Sequence, residues 1–388
     1  MPRPFTLRAP DDHGPAKAAA AAAGCARAAC DARARPGSAA AGALRHAVPA
    51  AIRALAAFAL SVPLVAVAGE PTLRELARAR FGSPTSLPAP AAPADGAPER
   101  LGRALFFDTR LGSDGRTGCV SCHLPGQHGA DGVARSRDAR GRLTDRNSPT
   151  VFDAAALPAL RWRGDRRDAA HQAEDSIVGS MGHDSTAAFE ARLLALGYGP
   201  AFAAAFPAAS ATPRAADFGR ALQAYQRTLA TSSAFGRWLA GEDGALAARQ
   251  QRGLAAFLGR GCAGCHDGPQ LGGRQFRKFG LTRDYWLATG STSRDPGRYA
   301  LTRDEADRNV FRVPMLRHVA RTAPYFHDGS VPSLREAVRI MGTLQLDLAL
   351  PGDELDAIVD FLGALDGPVP QHFSPPDTVR ATPGAAAR

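Results

Sequence analysis

The chain has 388 residues, of which 45% are hydrophobic and 22% charged, a balance that excludes a disordered or collagen-like protein and suits one large domain or two ordinary ones. The formal charge of +10 suggests a nucleic-acid partner, but 8 of the 47 basic and 3 of the 37 acidic residues fall in the first 68 positions, and the remainder is only mildly basic. No basic run is interleaved with aromatics, so nucleic acid is excluded as a partner.

The amino terminus has the pattern of an export signal. Arg45 and Arg53 precede an apolar run from Ala54 to Val65, and Ala66-Val67-Ala68 satisfies the small-x-small cleavage rule. Residues 1–68 are therefore expected to be a leader and signal peptide, cleaved near Ala68. Residues 1–44 lack periodicity and read as an over-extended start or a disordered leader. The apolar run is short and Ala-rich, and no other stretch is long enough to span a bilayer, so stable membrane insertion is not expected.

Further along, Glu70 to Pro98 reads as irregular. Arg100 to Phe107 reads as a short helix with Leu101, Leu105 and Phe106 on one side. Residues 124–150 form a polar, Gly- and Arg-rich stretch, expected to be a long functional loop. Helix is expected again over Ala187 to Phe206 and over Asp217 to Ala230, where Phe218, Leu222, Tyr225 and Leu229 recur at helical spacing. Gly241-Glu-Asp-Gly244 punctuates the chain. Beyond it, helices are expected at Leu246 to Leu258, from a capping box at Ser333-Leu-Arg-Glu336 toward Met341, and at Asp353 to Leu365. No hairpin signal or sustained alternation occurs, and the Pro-rich tail after Asp366 is expected to be peripheral.

Six cysteines are present. Cys25 and Cys30 lie in the leader. The other four form two copies of one motif, Cys119-Val-Ser-Cys122-His123 and Cys262-Ala-Gly-Cys265-His266. Cys-x-x-Cys-His is the attachment sequence of c-type haem: the thiols add to the vinyl groups and the histidine becomes an axial ligand. An exported chain would ordinarily pair spare cysteines as disulfides, and here none is spare. Zinc would ask for four ligands at a structural spacing, and a redox dithiol for a βαβ context; the repeated histidine behind an export signal argues against both. Each half thus repeats one plan of helix, motif, Gly-rich loop and further helices. The expected fold is mostly α, with two cytochrome c-like domains, residues 69–240 and 241–388, each holding one covalent haem c.

From Leu101 to Leu365 the chain resembles the bacterial di-haem cytochrome c peroxidases, including the MauG-like branch. The resemblance rests on Leu105-Phe-Phe-Asp-Thr-Arg-Leu111, the first haem motif, Asn147-Ser-Pro-Thr-Val151, Trp162-Arg-Gly164, Arg227-Thr-Leu229 and Arg237-Trp-Leu239. The second haem motif and Thr322-Ala-Pro-Tyr-Phe-His-Asp-Gly-Ser330 follow. It implies a peroxidatic haem on His123 and an electron-accepting haem on His266 and Met341, which lies fourteen residues after His327. It makes Trp162 the inter-haem tryptophan, Gln172 the distal amide, and His327 a histidine at the haem edge. Asn147, Thr322 and Pro324 match calcium ligands, and oxygen ligation suits that hard cation. It also implies a periplasmic enzyme that reduces hydrogen peroxide with electrons from a small cytochrome c or cupredoxin, and it leaves a homodimer open.

Two positions depart from the family pattern. The histidine expected sixteen residues after His123 is replaced by Ala139, so the first iron is expected to be open unless His128, His171 or His183 reaches it. The family's acid/base glutamate aligns with Ser180, and Glu174, Asp175 or His183 are candidate substitutes. A MauG-like oxidase and a non-enzymatic electron carrier or redox sensor remain rival readings. Retention of Met341, where the MauG branch tends to have tyrosine, favours the peroxidase.

Overall fold

The computed structural model describes residues 70–83, 95–207 and 212–380, which belong to one unit beginning at Ala68. The expected leader, its cleavage point, Cys25 and Cys30 lie outside the described residues. Thirteen helices are assigned among the described residues: α1 Leu73–Phe81, α2 Ala97–Phe107, α3 Ala169–Val178, α4 Thr186–Ala195, α5 Gly199–Ala205, α6 Ala215–Arg227, α7 Ala234–Ala240, α8 Ala248–Gly259, α9 Tyr285–Thr289, α10 Tyr299–Thr302, α11 Leu334–Leu346, α12 Gly352–Gly363 and α13 Asp377–Arg380. Two three-residue strands, β1 Phe276–Lys278 and β2 Val310–Arg312, pair antiparallel with Phe276 opposite Arg312. The molecule is mostly α, as expected.

The helices pack as crossed pairs. In the first, α2 crosses α6 at Gly102, where an added β-carbon would strike the carbonyl oxygen of Ala221. In the second, α8 crosses α12 at Gly253, whose added β-carbon would strike the carbonyl of Ala357. Glycine is required at both crossings because the backbones touch. The first pair belongs to a buried cluster with Leu105, Phe106, Leu222 and Tyr225. The second belongs to a cluster with Leu254, Phe257, Ile358 and Phe361. A third cluster gathers Phe279, Tyr285, Phe311 and Tyr325 against Ile340 and Leu344 of α11.

Several local expectations need correction. Residues 70–81 are not irregular: Thr72 and Glu75 form a reciprocal capping box that opens α1, and Ala77 and Phe81 bury beside Phe235 of α7 and Phe257 of α8. The expected helix over 187–206 is broken at Leu196–Tyr198, where Gly197 takes φ +81°. At Ser333 only half of the capping box forms, because Glu336 turns its carboxylate to Arg339. The tail is not peripheral. Phe373 is 2% exposed and packs edge-on against Phe106, Phe107 and Phe152, and Val379 buries in the same cluster. The two main clusters therefore do not follow a single cut in the chain: α1 joins the second and the tail joins the first.

Candidate functional site

Each Cys-x-x-Cys-His motif forms a single 3₁₀ turn, Cys119–Ser121 and Cys262–Gly264. In the first, the Gly118 amide donates to Ser121 Oγ and the Cys122 amide to the Cys119 carbonyl. In the second, the Cys265 and His266 amides both donate to the Cys262 carbonyl. Both cysteines and the histidine of each motif line one cavity. The preceding helix contributes one ring to each imidazole: Phe106 and Phe257 both lie 6.4 Å from theirs. The repeat seen in the sequence is thus also a repeat of packing.

His123 Nδ1 donates to the Gly129 carbonyl at 2.9 Å, and His266 Nδ1 to the Leu271 carbonyl at 3.3 Å. A carbonyl can only accept, so each bond fixes the proton on Nδ1 and leaves Nε2 as the ligating nitrogen. Burial keeps both rings neutral. It lowers His123 and takes His266 down to about 4, against the opposing pull of the Gly129 and Leu271 carbonyls respectively. None of the four cysteines is in a disulfide. Burial pushes the Cys119 thiol up to about 12 and Cys262 to about 11.

Both motifs open into one cavity of about 850 Å³, within the range of cofactor pockets. Met341, Trp162, Gln172, His327, Asn147, Thr322 and Pro324 all line it. The residues singled out in the sequence, separated by up to 222 positions (Cys119 to Met341), therefore share one space. Two neutral imidazoles with free Nε2 atoms, each beside a pair of unpaired thiols, suit two covalent haems.

The other expected residues fall as follows. Trp162 Nε1 donates to the Asn147 carbonyl at 2.9 Å, and its ring lies 6.3 Å from that of His327. His327 stacks on Phe311 at 4.4 Å and is 2% exposed; its Nε2 makes no hydrogen bond and lies 3.9 Å from Asp295 Oδ2. Asn147 commits its amide nitrogen to Val133 and its backbone N–H to His327, leaving Oδ1 free. Thr322 precedes a cis Ala323–Pro324 peptide. An amide oxygen and backbone carbonyls are the kind of hard donors that calcium takes. Gln172 Oε1 accepts from Arg161 Nε at 2.5 Å. Met341 is half-buried on α11 against the third cluster.

The histidines left as alternatives do not reach the cavity. His183 Nε2 bonds the Leu111 carbonyl at 2.7 Å and its ring packs on Phe189. His128 lies against the rings of Phe152 and His318, and His171 against the Arg167 amide. Among the described residues, only His123, His266 and His327 line the cavity as histidines. Ala139 is pinned by its amide to the Ser180 carbonyl at 2.8 Å. The candidate acids on α3 are also elsewhere: Asp175 pairs with Arg166 and Arg161, and Glu174 packs beside Gly219. Asp138 does line the cavity, but Arg142 grips it. Burial alone would raise that carboxyl; the hydrogen bonds from Arg142 outweigh it and hold it below the usual range.

Sequence reasoning assigned no role to the cavity's seven arginines, Arg142, Arg146, Arg161, Arg163, Arg277, Arg312 and Arg317. In an Arg-rich chain no local signal separates a buried arginine from a surface one.

Mostly helical, with two haem-attachment motifs on one cavity, the molecule has the make-up of a multihaem c-type protein, and comparison with known proteins narrows that class. The sequence model of di-haem cytochrome c peroxidases matches residues 97–244. Cytochrome c551 peroxidase of Pseudomonas aeruginosa is 40% identical over 291 residues, 74% of this chain and 84% of that protein. The methylamine utilization protein MauG of Methylophilus methylotrophus is 33% identical over 272 residues, 68% of this chain and 77% of that one. Among solved structures, a MauG-like protein associated with microbial copper homeostasis superposes with a TM-score of 0.64 at 28% identity, covering 75% of this chain and 97% of its own. The chain belongs to the di-haem cytochrome c peroxidase family, a family of oxidoreductases.

Proposed function

We propose that this protein is a periplasmic di-haem peroxidase that reduces hydrogen peroxide to water with electrons from a small cytochrome c or cupredoxin. The observation that carries the reading is the opening of both Cys-x-x-Cys-His motifs, each with a free imidazole Nε2, onto one cavity. Two haems c, attached through Cys119 and Cys122 and through Cys262 and Cys265, would supply the redox chemistry, and the protein would set their ligands, burial and access.

The chain's own residues then divide the work. His123 and His266 would hold the two irons, and Met341 would be a further ligand for the iron on His266. A haem held by His123, in residues 69–240, would serve as the peroxidatic group, and one held by His266, in residues 241–388, would serve as the electron-accepting group. Trp162, which lines the cavity and donates to the Asn147 carbonyl, would be the inter-haem tryptophan. A calcium ion held by Asn147 Oδ1 and the carbonyls of Thr322 and Pro324 would stiffen the loops that carry Trp162 and His327. Peroxide takes up two electrons and two protons, and its O–O bond breaks to give two waters. Gln172, oriented by Arg161, hydrogen-bonds the peroxide. Among the described residues, His128, His171 and His183 do not line the cavity, so none of them would take the place of the histidine absent at Ala139, and a haem on His123 would be left accessible to peroxide.

Resting-state spectroscopy tests this reading. The oxidised protein should show one high-spin haem that binds cyanide without prior reduction, and it should consume peroxide with a reduced small cytochrome c as donor. Two low-spin haems inert to peroxide would mark an electron carrier instead. Peroxide-dependent oxidation of an organic or protein substrate, with no turnover of the small donor, would mark an oxidase.

A further inference from the structure

Arg317 and Arg312 are the two arginines almost wholly withdrawn from solvent among the described residues, at 2% and 5% exposure, and both line the cavity. Arg317 has a counter-charge, since its Nε donates to Asp153 Oδ2 at 2.9 Å. Arg146, also at the cavity, has one in Asp295 at 2.6 and 2.7 Å. Arg312 has none. Its Nε donates to the Arg161 carbonyl at 2.9 Å and its Nη1 meets no acceptor. Burial takes its guanidinium down to about 10, with no charged neighbour acting on it. It is still protonated at neutral pH, so the fold holds a buried cation with no anion. An unpaired buried charge is costly enough that such groups are ordinarily paired. The missing anion has to come from what fills the cavity.

The position is specific. Arg312 ends β2, where its amide donates to the Trp162 carbonyl at 2.8 Å. Its Nη1 lies 3.5 Å from where a β-carbon on Gly273 would stand, and Gly273, at φ +85°, follows the second motif by seven residues. The free donor is therefore set where the loop after the second motif meets the loop carrying Arg161 and Trp162. The guanidinium fork matches a carboxylate.

We propose that Arg312 is a carboxylate-binding side chain whose free Nη1 receives a propionate of a haem seated in the cavity, at the junction of the two haem pockets. The proposal rests on the di-haem reading above. A cation on a propionate opposes the positive charge of the oxidised haem, so it favours the reduced state. Removing it shifts the reduction equilibrium of that haem toward the oxidised form, on the order of 10-fold.

The test uses exported holoprotein: wild type, Arg312→Gln and Arg312→Lys. Mass spectrometry first counts haems; fewer than two in the wild type would defeat the di-haem reading itself, separately from Arg312. With two haems attached, spectroelectrochemical titration follows each midpoint potential, and resonance Raman follows the propionate bending bands. Arg312→Gln should lower the potential of one haem and shift its propionate band, and Arg312→Lys should restore much of the potential while the band still moves. Unchanged potentials and bands in Arg312→Gln would overturn the proposal. Should that variant fail to accumulate, an unmoved band in Arg312→Lys overturns it equally. A wild-type potential that follows chloride concentration, lost in either variant, would assign the arginine to a free anion and also overturn it.

Discussion

Met341 reaches the cavity from the middle of α11, half-buried between the apolar third cluster and the space faced by His266. Methionine fills irregular gaps readily, so burial alone does not separate a ligand from a core residue. Met341→His does. Nitrogen for thioether removes the soft ligand that favours ferrous iron, so the potential of the second haem should fall by a sizeable part of the roughly 0.8 V that axial ligands command. An unchanged potential in a redox titration would leave Met341 as core alone. On the proposed peroxide side, three of the cavity-lining groups are poor proton carriers. Gln172 is an amide, Ser180 a poor acid, and Asp138 is held ionised by Arg142. Gln172→Ala should therefore slow peroxide turnover, and Ser180→Glu should raise it on the order of 10²-fold, since the position lines the cavity. His183→Ala should leave turnover near wild type, because His183 is tied to the Leu111 carbonyl away from the cavity. Steady-state rates with a reduced donor check all three.

Between the secondary-structure elements, one buried network holds distant loops together. Asp153 accepts from Arg317 Nε at 2.9 Å, from His318 Nε2 at 3.0 Å and from Thr231 Oγ1 at 3.0 Å, linking residues up to 165 positions apart. Burial by itself would raise the Asp153 carboxyl; hydrogen bonds and charge from His318 and Arg317 outweigh it and hold it below the usual carboxylate range. A carboxylate depressed in the folded state stabilises above its unfolded pKa, about 4, and that stabilisation is lost as pH falls through the lower folded value. Acid should therefore weaken the wild type below about pH 4 through this group. Asp153→Asn, which leaves Arg317 without its anion, should cost about 3–5 kcal/mol at neutral pH and flatten the acid limb. Urea unfolding of the holoprotein across pH measures both. A neutral-pH loss under about 1 kcal/mol would show that Thr231 and backbone carbonyls suffice for Arg317.

For the whole molecule, function begins with maturation. Four thioethers need free thiols in a compartment that attaches haem, and the four motif cysteines are unpaired. Protein expressed in a haem-attaching host with residues 1–68, the export signal expected from the sequence, should carry two haems and begin near Gly69, whereas cytoplasmic expression should give little haem-bound protein; intact-mass spectrometry reads both. No helix among the described residues is long and apolar enough to cross a membrane. The tail belongs to this scale too. Phe373 enters the aromatic group of Phe106, Phe107 and Phe152, so the end of the chain completes the core beside the first motif.

What the sequence determined by itself is chemistry carried in short strings. Two Cys-x-x-Cys-His motifs specify their ligands within five residues each, and an amphipathic stretch such as Asp217 to Ala230 announces its buried face through spacing alone, so both were legible without a fold. The capping box at Thr72 was legible by the same rule but lay in a Pro- and Ala-rich stretch that masked it. The tertiary structure decided everything that depends on which distant groups share one dielectric. It turned His183 toward Leu111 and away from the cavity, paired Asp138 with Arg142, joined β1 to β2 across more than thirty residues, and drew the tail into the first core. It also left Arg312 buried without an anion while giving Arg317 Asp153. The reason is physical: a residue's spacing sets its local conformation, but its solvation and its counter-charge are set by neighbours that only folding brings near.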